Sequence, residues 1–396
     1  MTIPKPEQAH PLSPDDVSDM YCLLQQLLRV ASVNPPGGEQ AVADLIMEYL
    51  RQLGVANRRV EVSAGRACVV ASVGHVAGQV DGAVGFSGHL DVVPVSDDER
   101  GLWNVDPFEG VQDDARVWGR GSCDMKGGLA AILTALKVRL RDGAPPAAPI
   151  VLAFSCDEED RMQGVRALLR EPEVRACGQM VIAEPTGMNL CRASGGRTWA
   201  KVTVRGQTGH GSDRSIERNA IVNAHYLLQD LLIEDFSNTR NAAYGASFWQ
   251  PLTMQAGVEP GVVPDRLTMT LDCRVVPGDG CDAMWQRLDR ILQRLTQQHR
   301  CFEAAYHVEE TRAPWCLDPQ HPLVLTAKQK AAELWPQAPF NEMYFPGTTD
   351  GNLYMQHGIP SIILGPGNLA QAHRHNEYVD KQQLVDAARF YLAMMR

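Results

Sequence analysis

Several apolar runs in this chain of 396 residues end in short segments crowded with carboxylates and imidazoles, and that pattern limits the fold more than any other feature. The segments are Gly88-His89-Leu90-Asp91, Gly121-Ser122-Cys123-Asp124, Cys156-Asp157-Glu158-Glu159-Asp160, Ala183-Glu184-Pro185 and Ala372-His373-Arg374-His375-Asn376-Glu377. Val, Ile and Phe favour strands, and sites collect where the strands of an open α/β sheet finish. Each run therefore predicts a buried strand that delivers polar groups to its tip. Several such ends in one domain predict one shared site.

The donor types suggest what the site holds. Alone, a His-x-Asp is a common surface pair, and Asp-Glu-Glu-Asp is a common solvated charge run. Together, imidazoles and carboxylates are the mixed donors of a hydrolytic zinc, cobalt or manganese site. A single catalytic zinc takes three protein ligands and keeps one position open, whereas five or more donors fit two ions sharing a carboxylate. Three ligand carboxylates and a bridging hydroxide offset two divalent cations, so such a site can be buried without net charge. His89 and Asp91 are two apart and share a strand face, within reach of each other. Glu158 and Glu159 are adjacent and must diverge, which suits one to a metal and its neighbour to the attacking water.

The rhythm of the chain predicts an α/β fold in two domains. Helices at 15–31 and 38–53, strands at 57–63, 66–73 and 83–89, a helix at 127–141, a strand at 149–155, a helix at 163–170 and a strand at 179–183 alternate as in a mostly parallel sheet flanked by helices. From about 197 the order becomes strand (Thr198–Arg205), helix (Ile216–Leu232), strands (Leu252–Val258 and Arg266–Val275), helix (Asp282–Gln297) and strand (Phe302–Glu309). That βαββαβ order is the split, ferredoxin-like α+β unit. Helices at 322–334 and 350–357 and a strand at 360–364 resume the first pattern. The expected domains are 1–195 and 310–396 for the α/β part and 196–309 for the inserted part. Gly347-Thr348-Thr349-Asp350 is expected to cap a helix and offer backbone N–H groups to an anion. Pro145-Pro146 marks a loop.

Composition excludes some partners. The net charge of -10 argues against a nucleic-acid partner, which demands clustered Lys and Arg. The opening Met1-Thr2-Ile3-Pro4-Lys5-Pro6 lacks an apolar signal core, and no stretch is long enough to span a membrane, so the expected compartment is the cytoplasm. The 10 Cys lack paired metal-finger spacing and are expected to be reduced; Cys123 and Cys156 read as small buried filler. Gly-x-Ser-x-Gly, His-Glu-x-x-His and the phosphate-loop order Gly-x-x-x-x-Gly-Lys-Ser/Thr are all absent.

Phe86-Ser87-Gly88-His89-Leu90-Asp91-Val92-Val93-Pro94 and Trp118-Gly119-Arg120-Gly121-Ser122-Cys123-Asp124-Met125-Lys126-Gly127-Gly128 resemble the dinuclear-metal acetylornithine deacetylase, succinyl-diaminopimelate desuccinylase and aminoacylase family. The resemblance continues through Asp157-Glu158-Glu159, Glu184-Pro185-Thr186-Gly187, Gly209-His210-Gly211-Ser212 and Gly365-Pro366-Gly367 to His373-Arg374-His375-Asn376-Glu377. It implies two divalent ions, zinc first with cobalt or manganese as alternatives. His89 and Glu184 would hold one, Glu159 and His373 the other, and Asp124 would bridge them. It also implies Glu158 as general base and Asp91 as support for His89. His373 is preferred to its rival His375 because it lies four residues before Glu377. His210 would reach across a homodimer formed through the inserted lid domain to steady the oxyanion, and Arg274 would hold the substrate carboxylate, with Gly347 and Thr348 beside it.

The activity so implied is hydrolysis of the amide of an N-acyl amino acid by a metal-bridging hydroxide. A carboxypeptidase, a dipeptidase and a hydrolytic deaminase of an unusual amine are the alternatives on the same site. A non-catalytic binding relative would have lost a ligand or Glu158, and here every position is filled. Two departures bear on the substrate. Gly261 stands where the family usually has Asn before Val262-Val263-Pro264, and Asp160-Arg161-Met162-Gln163 runs where it usually shows Gly. The lost side chain predicts a bulkier or less polar substrate than acetylornithine.

Overall fold

The apolar runs pair as the middle of one large sheet. The computed structural model describes residues 12–74, 82–143, 146–337 and 340–396; the opening through Pro6 and Pro145 of the Pro-Pro pair lie outside these. The described residues up to Arg192, with Leu317–Met343 and Thr349–Arg396, form a first compact unit, and Ala193–Cys316 with Tyr344–Thr348 form a second.

In the first unit the strands run in the order Asn57–Ser63, Arg66–Val73, Ile150–Ser155, Ala83–His89, Cys177–Ile182, Ser361–Ile363 and then Leu190–Ser194, which leads into the second unit. Ile150–Ser155, Ala83–His89, Cys177–Ile182 and Ser361–Ile363 are mutually parallel. The strands outside them join antiparallel, so the sheet is mixed and its parallel character is confined to the centre. These central strands read as unbroken apolar runs because both of their faces are covered. Parallel neighbours end on the same edge. His89, the segment after Ser155 and Glu184 just after Ile182 are thereby brought to one edge of the sheet.

Helix Gly127–Arg141 is buried along nearly its whole length, and helices Pro14–Arg29 and Lys381–Met394 pack against it. Its approach to the sheet requires glycine at 128, where a Cβ would stand 2.4 Å from the Ala183 carbonyl oxygen. Helix Pro14–Arg29 starts on a capping box, in which the Ser13 hydroxyl accepts from the Asp16 amide and the Asp16 carboxylate accepts from the Ser13 amide.

In the second unit the strand order is Phe248–Ala256, Arg266–Val275, Gly196–Arg205 and Glu303–Arg312, antiparallel throughout. With helices Ala220–Ile233 and Cys281–Gln298 this makes the ferredoxin-like arrangement. The helix expected from Ile216 begins at Ala220 because the Asn219 carboxamide oxygen accepts from the Ile221 amide, an N-cap that ends the preceding turn. The first edge strand begins at Phe248, four residues before the expected Leu252. Alternate residues Ala200, Val202, Val204, Leu267, Met269, Leu271 and Cys273 share a core with Leu227, Met284, Leu288 and Ile291 of the helices. The residues between them occupy the other face of the sheet.

Leu288 lies at 0 % exposure within this core. Leu288→Ala should cost about 2–5 kcal/mol of stability in the second unit. Hydrogen exchange should show protection falling in Gly196–Arg205 and holding in Ala83–His89; an equal fall in both strands would mean that the units do not keep separate cores.

Candidate metal centre

His89 closes its strand with a side chain only 1 % exposed. Its Nδ1 lies 2.9 Å from the main-chain carbonyl of Asp91 and its Nε2 lies 3.0 Å from Asp124 Oδ1 and 3.8 Å from Glu184 Oε1. A ring whose Nδ1–H donates to a carbonyl presents the Nε2 lone pair outward, as a metal ligand must. Asp91 thus supports His89 chiefly through its backbone, since its carboxylate is 3.6 Å from the ring. That carboxylate accepts instead from the amides of Glu158 (3.2 Å) and Glu159 (3.1 Å) and from Asn34 Nδ2 (2.9 Å). It therefore holds the backbone of the two adjacent glutamates.

The loop bearing those glutamates is fixed from both sides. Asn34 Nδ2 also donates to Asp157 Oδ1 at 3.1 Å, and Arg66 pairs with Asp157 (2.9 Å) and with the buried Glu39 (2.6 Å). Asp157 and Met162 adopt φ of 65° and 53°, the left-handed region that favours glycine. Met162 belongs to the stretch where the related family shows Gly, and here a fully buried methionine takes that conformation.

Asp124 stands at the middle. Its Oδ1 faces His89 and its Oδ2 faces His373 Nε2 at 3.3 Å, while the same His373 nitrogen is 3.0 Å from Glu159 Oε1. Its turn begins at Gly121, whose φ of 87° and close contact with Val92 leave no room for a side chain. Glu377 Oε1 accepts from the amides of Gly121 (2.9 Å), Cys123 (2.9 Å) and Asp124 (3.1 Å), and its Oε2 pairs with the buried Arg120 at 2.6 Å. Lys126 Nζ ties the far end of the turn to the carbonyls of Leu27 (2.9 Å) and Val30 (2.7 Å).

Two groups of donors result. The ligand atoms of His89, Asp124 and Glu184 lie within 4.8 Å of one another, and so do those of Asp124, Glu159 and His373. Because the two oxygens of Asp124 face different imidazoles, the donors fit two divalent ions sharing one carboxylate. The electrostatics agree. Burial disfavours a charged His89, but Glu184, Asp124 and Asp91 outweigh it and raise its pKa. Burial likewise opposes a charged His373, yet Asp124 and Glu159 lift it to about 11. Burial and the Asp124 charge push the carboxyls of Glu159 and Glu184 up. The centre thus holds more negative charge than its own imidazoles balance. His375 is exposed and belongs to neither group. Glu158 is buried, 6 % exposed, and adjoins Glu159 in the chain.

The remaining expected residues lie in the second unit. His210 sits on a two-residue strand paired with Val262–Val263, exposed, with Nδ1 2.8 Å from the Ser212 hydroxyl. Gly261 accepts from the Gly211 amide at 2.8 Å and has open space where a Cβ would stand. Arg274 Nε donates to Asp272 at 2.7 Å. The Gly347 carbonyl accepts from the Ser194 hydroxyl at 2.8 Å, and the Thr348 hydroxyl accepts from Arg312 at 3.3 Å. The helix cap expected over 347–350 is made by Thr349, whose hydroxyl accepts from the Gly351 amide. Asn34, Arg120 and Lys126 are functional positions that the sequence does not single out, and Glu377 stands out there only by its spacing from His373. Asn34 before two prolines and the acid four residues after His373 were the signals available.

The sequence model of Peptidase family M20/M25/M40 matches residues 85–396. Acetylornithine deacetylase of Pectobacterium carotovorum subsp. carotovorum (strain PC1) is 30 % identical over 320 residues, covering 76 % of this chain and 77 % of that one. Among solved structures, the fold is similar to the M20 family metallo-carboxypeptidase Sso-CP2 from Sulfolobus solfataricus (TM-score 0.77, 17 % identity, 95 % of this chain and 98 % of that one). It is also similar to a dinuclear metal binding peptidase of the M20 family from Bacillus subtilis (TM-score 0.68, 15 % identity, 97 % and 98 %). Metal-dependent amide hydrolysis is accordingly the chemistry of this centre, and the extent of the match leaves one assignment: the chain belongs to peptidase family M20/M25/M40.

Proposed function

We propose that the chain hydrolyses the amide of an N-acyl amino acid, with Glu158 as general base and acid. The observation that carries this reading is the pair of donor groups joined by Asp124, with the buried Glu158 adjoining the ligand Glu159. The curated relative at 30 % identity is named for an N-deacetylation, which supports an acyl group as the part removed. Two divalent ions, zinc by the mix of imidazole and carboxylate donors, would be held by His89, Glu184, Asp124, Glu159 and His373 and would supply a Lewis acid for the carbonyl oxygen and a lowered pKa for water. The chain's own groups do the rest. Glu158, its backbone pinned to Asp91, takes the proton of the attacking water and returns it to the amine nitrogen as the C–N bond breaks. Arg274 pairs with the substrate carboxylate, with Gly347 and Thr348 beside it. His210 donates to the oxygen that gains charge.

The same chemistry would cleave a dipeptide, so a panel of N-acyl amino acids and dipeptides tests the proposal. Faster cleavage of dipeptides than of every N-acyl amino acid would overturn it. Among the described residues no helix is long and apolar enough to cross a membrane, and the ten cysteines are all free, which supports a reducing, cytoplasmic setting. The edge strand of the second unit exposes Phe248, Leu252 and Met254, and its neighbouring helix exposes Ile221, Leu232 and Ile233. Apolar side chains on an unpaired edge support a homodimer through this unit.

Metal analysis of purified protein should find about two divalent ions per chain, and a chelator should abolish activity. Asp124→Asn should release metal from both positions, since one amide oxygen cannot serve two cations. Full activity in metal-free protein would contradict the assignment.

Glu158→Gln should keep its metal and lose roughly 10²–10⁴-fold in turnover, the usual contribution of a positioned acid–base group. Normal turnover in that variant would assign the base elsewhere.

His210→Ala should lose about 10²–10³-fold in turnover, as removal of an oxyanion donor does. Mixing His210→Ala with Glu158→Gln chains should restore part of the activity if the histidine serves the partner's site. A fully active monomer would contradict that role.

A further inference from the structure

The strand register of the second unit sets three arginines side by side. Arg274 is directly opposite Arg197, and Arg197 is directly opposite Arg312, across three neighbouring antiparallel strands. Residues so paired point to the same face of a sheet, here the face away from the helix core. The next row on that face holds Asp272, Trp199 and Glu310. Three guanidiniums therefore meet two carboxylates. Like charges directly opposite each other are unfavourable, and here the carboxylate of Asp272 lies between the first two.

The geometry indicates the use. Asp272, only 4 % exposed, accepts from Arg197 Nε with one oxygen and from Arg274 Nε with the other. It holds both side chains by their inner nitrogens. The terminal nitrogens of Arg197 and Arg274 have no partner among the described residues, and both side chains remain partly accessible. Trp199 supports the row, with the Arg197 guanidinium 4.4 Å from its ring and that of Arg312 at 5.3 Å. Two anchored forks next to each other form a seat for two planar anions, since a guanidinium pairs bidentately with a carboxylate.

We infer that Arg197 and Arg274 together bind two carboxylates of one substrate, which is an N-acylated amino acid whose side chain ends in a second carboxylate. The inference rests on the N-acyl amino acid reading above and adds Arg197 to it as a specificity-determining residue. Opposed residues on antiparallel strands stand about 4.5–5.5 Å apart. Both forks are also tied to the one Asp272 carboxylate, so two carboxylates separated by two or three carbons, as in N-acyl aspartate or glutamate, suit the pair. The arginine row replaces the expectation of a less polar substrate drawn from Gly261: the open space there stays, but the charge beside Arg274 selects for an acid.

The test compares the wild-type enzyme on N-acetylglutamate and N-acetylaspartate with their isosteric amides, N-acetylglutamine and N-acetylasparagine, and with N-acetylalanine. The diacids should be favoured in kcat/KM by about tenfold or more, mainly through KM, because the amides leave a guanidinium without its anion. Arg197→Gln should bring that ratio close to one, and calorimetry on Glu158→Gln protein should show the same preference in binding without turnover. Wild-type protein that cleaves N-acetylalanine or the amides as well as the diacids would overturn the inference and leave the deacylase reading standing. Cleavage of dipeptides with no N-acyl amino acid cleaved would overturn both. The wild-type comparison decides the matter even if Arg197→Gln fails to fold.

Discussion

One carboxylate organises the centre without belonging to either group of metal donors. Glu377 Oε1 gathers the amides of Gly121, Cys123 and Asp124, and its other oxygen holds Arg120. Those amides open a tight turn, where no preceding helix or strand ladder satisfies them, and they are buried, so each unmet donor would cost about 1–3 kcal/mol. Charge-assisted bonds from a single buried acid meet that need and aim Asp124 between two imidazoles at once. Arg120 extends the network to Glu99 at 2.6 Å, and Lys126 extends it to the end of the first helix. The position of Asp124 thus depends on segments spread from the first helix to the last strand.

A second constraint is charge. Parallel strands finishing on one edge bring Asp91, Glu158, Glu159 and Glu184 close to His89, with the half-exposed His373 facing Glu159, and bound cations would offset this excess of negative charge. The fold invests its backbone donors in Asp91 and Glu377, the acids that position others, and leaves the donor atoms of Glu184 and Glu159 each grouped with Asp124 and one imidazole. Rigid support behind open ligands is what a catalytic metal site needs. The arginine row of the second unit applies the same scheme to anions, with Asp272 as the fixed acid and the guanidinium forks as the open side.

What could be read from the sequence followed from periodicity and ends. Unbroken apolar runs gave away the central strands, and acids or imidazoles at their tips gave away the convergence, because parallel strands must finish together. The βαββαβ order was legible in the change of rhythm after residue 197. Strand direction outside the sheet centre was not, since the valines and small residues of Arg66–Val73 and the mixed residues of Leu190–Ser194 suit a strand whichever way it runs. Support by tertiary contact was also hidden. Asn34 reaches Asp91 across 57 positions, and Glu377 reaches Asp124 across 253. Arg197 looked like an ordinary strand residue until register placed it opposite Arg274. The Asp91 carboxylate, expected to reach the imidazole or its surroundings, lies 3.6 Å from the ring and also holds two amides, which depends on where the Glu158 loop passes.

The proposed chemistry depends on Asp124 serving two ions. Crystals grown with zinc and measured on either side of the zinc absorption edge test this directly, because anomalous scattering locates the metal independently of any assigned ligand. Two anomalous peaks should flank the Asp124 carboxylate, one beside His89 and Glu184 and the other beside Glu159 and His373. A single peak, or a second peak away from Asp124, would contradict it.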